Sequence, residues 1–495
     1  MTKLDSNSYR SILKATSIFG GSQMINIIVS IIRSKALAIF LGPSGLGIAT
    51  LITTTLSLLS GVTNLGLGVS AVKEVAQAHS AGDVYKIGKI NAVLNKWFWL
   101  TGFLGFALTF LLSPVLSFIS FGSWRQYALS FAVTAITLLI NQLNAKMQVV
   151  LQGTRKLLYL AKSNVIGNIT ILIVTLPLYY LFGLNAITTS IVLSSIITYC
   201  ITLLYYRKVD NPTLNLSKLR IFAEGKKMVV LGFVISLSGL LTLISSYLVR
   251  LVIGRYGSLE DVGLYNAGFA IINTYVGLVF TAMATDYYPR LSGNIQNVEQ
   301  TNTIVNQQAE IALLIMGPIL VAFIIFSKEV ISILYSNAFV KVEKMIIWAA
   351  LGMLLKAGSW AIGYLILAKG NSQLFFKNEM IANVYMMIMN IIGYMLWGIP
   401  GLGLSFFVGY SVYYFQVLVV SIISFQYRPS RMFINTLVLY FFILMVAIGL
   451  IYLFNKKITL VVGPFLVGIA IIFSYIEMNK RVQIMEFLKT RINKI

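Results

Sequence analysis

The run MIIWAALGMLLKAGSWAIGYLIL, from Met345 to Leu367, holds 23 residues and one charge, Lys356. About 20 mostly apolar residues in a helix cross the hydrocarbon of a bilayer, so this run reads as a membrane-spanning helix. Its surroundings read the same way. Apolar runs between charged or Gly/Pro-rich breaks give fourteen spans: Ala15 to Ile32, Gly47 to Leu67, Trp97 to Ile119, Tyr127 to Ala145, Ser163 to Phe182, Ala186 to Tyr206, Met228 to Val249, Gly263 to Met283, Ile311 to Phe326, Met345 to Leu367, Met380 to Trp397, Leu402 to Phe425, Phe433 to Phe454 and Thr459 to Tyr475. The expected fold class is an all-α polytopic membrane protein.

Composition agrees. Of 495 residues, 58% are hydrophobic and 11% charged, and the mean hydropathy is +0.85. A soluble domain carries about 25% charged residues, so a water-facing surface is excluded. One cysteine, Cys200, and one histidine, His79, leave no disulfide framework, zinc cluster or Cys/His catalytic pair. No metal or cofactor is expected, and the polar stretch LSGNIQNVEQTNTIVNQQAE, Leu291 to Glu310, has no phosphate-cradling glycine motif. That stretch reads as a short helix along the inner surface.

The loops are short enough for their Lys and Arg content to set orientation. With the N-terminus cytoplasmic, inner segments hold 27 of the 38 basic residues and outer loops 10, with Lys356 inside a span. Both termini are therefore expected in the cytoplasm, and the basic excess reports membrane orientation and not nucleic-acid binding. The polar start MTKLDSNSYR, with no cleavage site after the first apolar run, reads as preceding a retained helix.

Three landmarks suggest an internal repeat. Gly47 matches Gly263, Gly153 matches Gly370 and Gly183 matches Gly401, at offsets of 216, 217 and 218. The expected organisation is a six-helix lobe over residues 1–216, a second over 217–427, and two added helices with a basic tail over 428–495. Six spans per copy makes the copies parallel, related by an axis along the membrane normal, with a cavity between them.

Charges within the hydrocarbon mark function, because a Lys or Arg at mid-helix costs roughly 2.5–3.5 kcal/mol on insertion scales. Lys356 must face either a wet cavity or a carboxylate such as Glu310 or Glu379. Arg33 and Lys35 end the first span, and Arg250 falls on Arg33 across the repeat. Two symmetric cations facing one cleft suit a pyrophosphate, whose oxygens guanidinium binds bidentately. Arg255 reads as a helix-end anchor. Lys73 and Arg290 match after spans two and eight, and either line the inner mouth or obey the positive-inside bias. Asp286, Glu310 and Glu379 lie near inner span ends, and Glu379 matches Lys162, a sign change that suggests a gate or coupling pair. No carboxylate is centrally placed, which favours an anionic cargo over a cationic drug. Most tyrosines, including those of YSVYYF (Tyr410 to Phe415), read as interfacial belt residues.

The stretch FVKVEKMIIWAALGMLLKAGSWAIGYLILAKGNSQLFFKNE, Phe339 to Glu379, resembles the tenth-span region of Wzx-type O-antigen translocases, of the multidrug/oligosaccharidyl-lipid/polysaccharide exporter superfamily. SKALAIFLGPSGLGI and EDVGLYNAGFAIINTYVGLVFTAMATDYYPRLS look like the corresponding first- and eighth-span segments. The resemblance implies a two-lobed inner-membrane flippase moving undecaprenyl-pyrophosphate-linked oligosaccharide to the periplasmic face by alternating access. It implies membrane lipids, a polysaccharide polymerase and chain-length machinery as partners, and family positions at Lys35, Lys356 and Glu379. Many such translocases have twelve spans, so the last two are a departure. Rival readings are a lipid II flippase or drug exporter of the same fold, and a membrane polymerase or ligase. The latter needs long outer loops, and those here reach at most about 20 residues.

Overall fold

The computed structural model describes residues 3–482, except 210, 211, 213, 215 and 216. The far C-terminal tail and Asn211 therefore lie outside the described residues, as do the side chains preceding Gly21. Seventeen α-helices follow in order among the described residues: α1 Lys3–Thr63, α2 Leu67–Ser80, α3 Val84–Leu111, α4 Ser113–Phe121, α5 Ala128–Thr134, α6 Ile136–Gly153, α7 Leu157–Phe182, α8 Ala186–Tyr206, α9 Lys218–Tyr256, α10 Leu259–Phe269, α11 Leu278–Gly293, α12 Val298–Ile325, α13 Ser327–Leu334, α14 Glu343–Ala368, α15 Ser372–Phe425, α16 Arg431–Leu453 and α17 Lys456–Val482. They form two compact units, residues 1–263 and 264–495.

Among the described residues, ten helical stretches are long and apolar enough to cross a membrane, or eleven when α3 and α4, bent by 65° at Leu112, count as one. Three are far too long for one passage: Gly21–Thr63, Leu157–Tyr206 and Gln373–Phe425, of 43, 50 and 53 residues. A straight helix of 43 residues extends about 64 Å, twice the hydrocarbon thickness of about 30 Å. Each of the three is interrupted by a glycine, Gly42 (φ 66°, ψ −173°), Gly183 (φ 54°, ψ −130°) and Gly398 (φ 62°, ψ −143°). Residues bearing a Cβ avoid that conformation.

In α15 the break reverses the chain. The Ser405 hydroxyl donates to Asn390 Oδ1 at 2.8 Å, although 15 residues of straight helix would place them about 22 Å apart. Farther from the turn, the Tyr413 hydroxyl donates to Glu379 Oε1 at 2.7 Å and Gln416 Nε2 to Asn378 Oδ1 at 2.8 Å. α15 is a hairpin held by polar pairs along its length. α7 and α8 pack on each other in the same way, with Tyr159 and Tyr205 rings 6.0 Å apart at their far ends.

Helix boundaries recur along the chain. α3 and α12 both run 28 residues and start 214 positions apart, each after an N-cap side chain, Asp83 or Asn297, that accepts a backbone N–H three residues on. α4 and α13 start 214 apart. α6 and α14 end 215 apart, α7 and α15 start 215 apart, and Gly183 and Gly398 are separated by the same 215. Gly183 thus shares its backbone role with Gly398, whereas Gly401 lies inside helix.

The polar stretch Leu291 to Glu310 departs from expectation. It is not a separate surface helix: Asn297 caps α12, and the residues from Val298 onward are its first turns, continuous with the ninth span. Burial of Asn306, Gln308 and Glu310 explains why polar residues remain helical here. Asn306 donates to the Arg428 carbonyl and accepts from the Tyr427 hydroxyl and the Ser430 N–H, at 2.8–2.9 Å, so the amide fastens the segment leading into α16. Farther along α12, Tyr440 of α16 lies over Gly317, where a Cβ would stand 2.2 Å from its ring. Ser474 of α17 donates to the Leu314 carbonyl at 2.6 Å. The last two helices are thereby packed on α12.

A membrane site around Lys356

Lys356 is the fourteenth of the 26 residues of α14, about 20 Å from either end. The helix is largely enclosed, with residues 349–354 and 357–359 buried, and the lysine is half-buried. Its Nζ donates to Asn273 Oδ1 at 2.7 Å and stands 5.3 Å from the centre of the Tyr410 ring. Neither Glu310 nor Glu379 pairs with it. Glu310 accepts from the Ser430 hydroxyl at 2.8 Å, and Glu379 is held by Tyr413. The ion-pair alternative raised by the sequence is therefore corrected: the lysine's partners are an amide and an aromatic face.

Those partners leave the charge in place. A cation over an aromatic ring gains about 0.5–2 kcal/mol, and a charged hydrogen bond about 1.5–3 kcal/mol. Together they offset the cost of insertion without neutralising the ammonium. The result is a positive charge held at mid-membrane depth, able to receive an anion.

Asn273 reaches the lysine from a π-helical turn, Ala270–Val276, between α10 and α11. Such turns insert a residue into the helical register and recur at functional sites. Gly277 makes room for it, since a Cβ there would lie 2.1 Å from the Asn273 carbonyl oxygen. The Asn273 Nδ2 group is buried without a hydrogen-bond partner, which leaves a donor beside the ammonium. On α15, Tyr410 and Tyr413 are neighbours with rings 6.0 Å apart; one faces Lys356 and the other holds Glu379. These two are not interfacial belt residues.

Nothing in the sequence marks Tyr410 or Tyr413 as a site residue. Asn273 is a lone amide in the apolar FAIINTYVG, a visible signal, but the π-turn that aims it has no sequence mark. The other candidates are dispersed. Arg290 and Glu310 line one cavity beside α12, where Arg290 Nη2 also donates to Gln308 Oε1 at 2.9 Å. The Asp286 side chain lies outside the described residues. Counted from the starts of α7 and α15, Lys162 falls on Lys377 and not on Glu379, so the sign-change match is not kept by the helices. Lys162 and Lys73 are exposed on the first unit.

Also in that unit, Arg33 and Lys35 are half-exposed on α1, with Arg33 Nε buried and unpartnered. Arg250 is 7% exposed and donates to the Ser246 carbonyl at 2.9 Å. Arg255 donates to the carbonyls of Phe118 and Ile119 at 2.7 and 3.3 Å. Both carbonyls belong to the last turn of α4, where that of Phe118 also accepts from the Gly122 N–H at 2.9 Å, so Arg255 fastens the end of α9 to the end of α4.

A family profile described as "Polysaccharide biosynthesis protein" matches residues 12–295. The lipid III flippase of Escherichia coli (strain K12) is 22% identical over 382 residues, spanning 74% of this chain and 88% of the relative, and the Shigella flexneri protein of that name matches equally. The solved lipid II flippase MurJ, in an inward closed conformation, superposes with a TM-score of 0.74 at 16% identity, covering 93% of this chain and 98% of the other. A multidrug resistance MATE family transporter of the MOP superfamily, inward-facing, superposes with a TM-score of 0.67 at 15% identity, covering 82% and 94%. At these identities the structural likeness establishes the fold.

Proposed function

Because the chain belongs to the polysaccharide biosynthesis protein family, we propose that it is a flippase carrying undecaprenyl-pyrophosphate-linked O-antigen or related repeat units from the cytoplasmic to the periplasmic leaflet of the inner membrane by alternating access. The observation that carries this reading is Lys356: an ammonium midway along a spanning helix whose partners among the described residues are an amide and an aromatic face, with no carboxylate. An anionic cargo is what such a charge can attract. A cation exporter would place acids there instead.

The topology goes with it. Splitting the three overlong helices at Gly42, Gly183 and Gly398 turns eleven membrane stretches into fourteen crossings, an even number that puts both termini on one side, the cytoplasmic side by the basic-residue bias. The recurrence of helix boundaries at 214–215 residues supports two parallel six-helix lobes, 1–216 and 217–427, followed by an added pair over 428–495. Arg33, Lys35 and Arg250 are proposed to present cations to the pyrophosphate. Lys73, Lys162, Asp286, Arg290, Glu310 and Glu379 are proposed as gate or coupling residues, Lys162 and Glu379 no longer as a matched pair, and a polymerase with its chain-length machinery receives the product. A lipid II flippase is the second reading, favoured by a superposition that covers 93% of this chain and 98% of that flippase. Deleting the gene distinguishes them: accumulation of a lipid-linked polysaccharide unit on the cytoplasmic side supports the first, and accumulation of lipid II the second.

A further inference from the structure

A cavity of about 920 Å³ lies in the second unit between the N-terminal half of α12, the end of α11 and the segment leading into α16. Its charged lining is balanced: Arg290 and Arg428 against Glu299 and Glu310. Glu310 is 5% exposed at its base, whereas both arginines and Glu299 are exposed. The wall is rigid before anything binds, because Asn306 and Ser430 tie α12 to the 426–430 segment through the hydrogen bonds described above. The rest of the lining is mixed: Asn302, Thr303, Gln307 and Gln426 add amides and a hydroxyl, and Val298, Ile311 and Met432 an apolar side. From Met432 a stripe of exposed side chains, Leu439, Phe442 and Val446, runs along one face of α16, at the spacing of a single helical face. The cavity thus joins a polar, two-signed pocket to a lipid-facing ridge at the start of a spanning helix.

We propose that this cavity binds the head group of a zwitterionic aminophospholipid, with its phosphate at Arg290 and Arg428, its ammonium at Glu299 and Glu310, and an acyl chain along α16. Basic pockets between membrane helices bind lipid phosphates, and guanidinium suits phosphate oxygens. The carboxylates choose among lipids. A head group whose only charge is the phosphate leaves Glu299 and Glu310 without a cation to offset them, and a trimethylated ammonium has no N–H to donate to them. A primary ammonium has three. The site depends on the cavity and on α16 crossing the membrane, and not on the identity of the cargo.

The test is lipid retention by the full chain, reconstituted with equal mole fractions of phosphatidylethanolamine, phosphatidylglycerol and phosphatidylcholine and analysed by native mass spectrometry. Phosphatidylethanolamine should be retained several-fold over the other two. Arg428→Gln should lower its retention about tenfold, equivalent to about 1.4 kcal/mol. Glu299→Gln should raise phosphatidylglycerol relative to phosphatidylethanolamine, and Lys328→Gln, on α13 and outside the cavity lining, should leave the ranking unchanged. Equal retention of all three by the unaltered protein, or preference for phosphatidylglycerol, overturns the proposal without reference to any variant. Well-folded Arg428→Gln protein with an unchanged ranking overturns it as well.

Discussion

Gly47 and Gly263 meet backbone to backbone in a reciprocal contact. A Cβ on Gly47 would stand 1.9 Å from the Leu259 carbonyl oxygen, and one on Gly263 would stand 1.9 Å from that of Pro43. Leu259 precedes Gly263 by four residues, and Pro43 precedes Gly47 by four. Each glycine therefore packs on the same turn of the other's helix, the self-complementary pattern of a twofold contact. Gly47→Ala and Gly263→Ala should each destabilise the protein by about 1–3 kcal/mol through overpacking, read as a lowered melting temperature in detergent. Gly167→Ala, where nothing lies within 4 Å of the added methyl, should be neutral or slightly stabilising.

The three helix breaks provide a separate test of backbone strain. Nothing lies within 4 Å of a Cβ built at Gly42, Gly183 or Gly398, so space is not the constraint there. Alanine at Gly398 should still cost about 1–3 kcal/mol, because it must hold a glycine-only conformation. A melting temperature unchanged by Gly398→Ala would show that the turn is not fixed by its backbone angles.

Much of this fold was legible because a bilayer simplifies the code: apolar runs such as Met345 to Leu367 mark helices without any need to know their partners. The repeat was legible as a rough offset, but of the three glycine breaks only Gly183 was marked, and it was matched to Gly401 when its counterpart is Gly398. The site was legible only as Lys356. Its partners were not, since Asn273 depends on a π-turn and Tyr410 on the hairpin of α15, both products of tertiary packing. Charge alone also misled at Glu379, where the hairpin of α15 brings the Tyr413 hydroxyl to the carboxylate and the repeat arithmetic does not decide the pairing.

Asn273→Asp tests the geometry directly. A carboxylate within hydrogen-bond distance of Lys356 should form the ion pair that the native site lacks. Protein level should hold or rise, and flipping should fall at least tenfold, since the charge is then neutralised before cargo arrives. Wild-type flipping by Asn273→Asp would remove Asn273 from the site.

Alkaline stability should respond to Tyr427, which lies between α15 and α16. Burial raises its pKa, and Tyr414 and the Glu310 carboxylate raise it further. The stabilisation is fully present below the ordinary tyrosine value of about 10 and is lost as the pH climbs from there toward the raised folded-state value. Tyr427→Phe should cost about 0.5–1.5 kcal/mol at neutral pH, for the lost bond to Asn306, and should flatten the alkaline limb of a melting profile. An alkaline limb identical to the wild type would contradict the assignment.

Flipping by Lys356→Met, measured alongside protein abundance in a strain lacking the gene, tests the central claim most directly. Because no carboxylate pairs with Lys356 among the described residues, removing the charge strands no buried ion and relieves an insertion cost of roughly 2.5–3.5 kcal/mol. The predicted result is wild-type abundance with lipid-linked saccharide accumulating on the cytoplasmic side, and partial rescue by Lys356→Arg. Wild-type abundance with wild-type flipping would contradict a cargo-binding lysine.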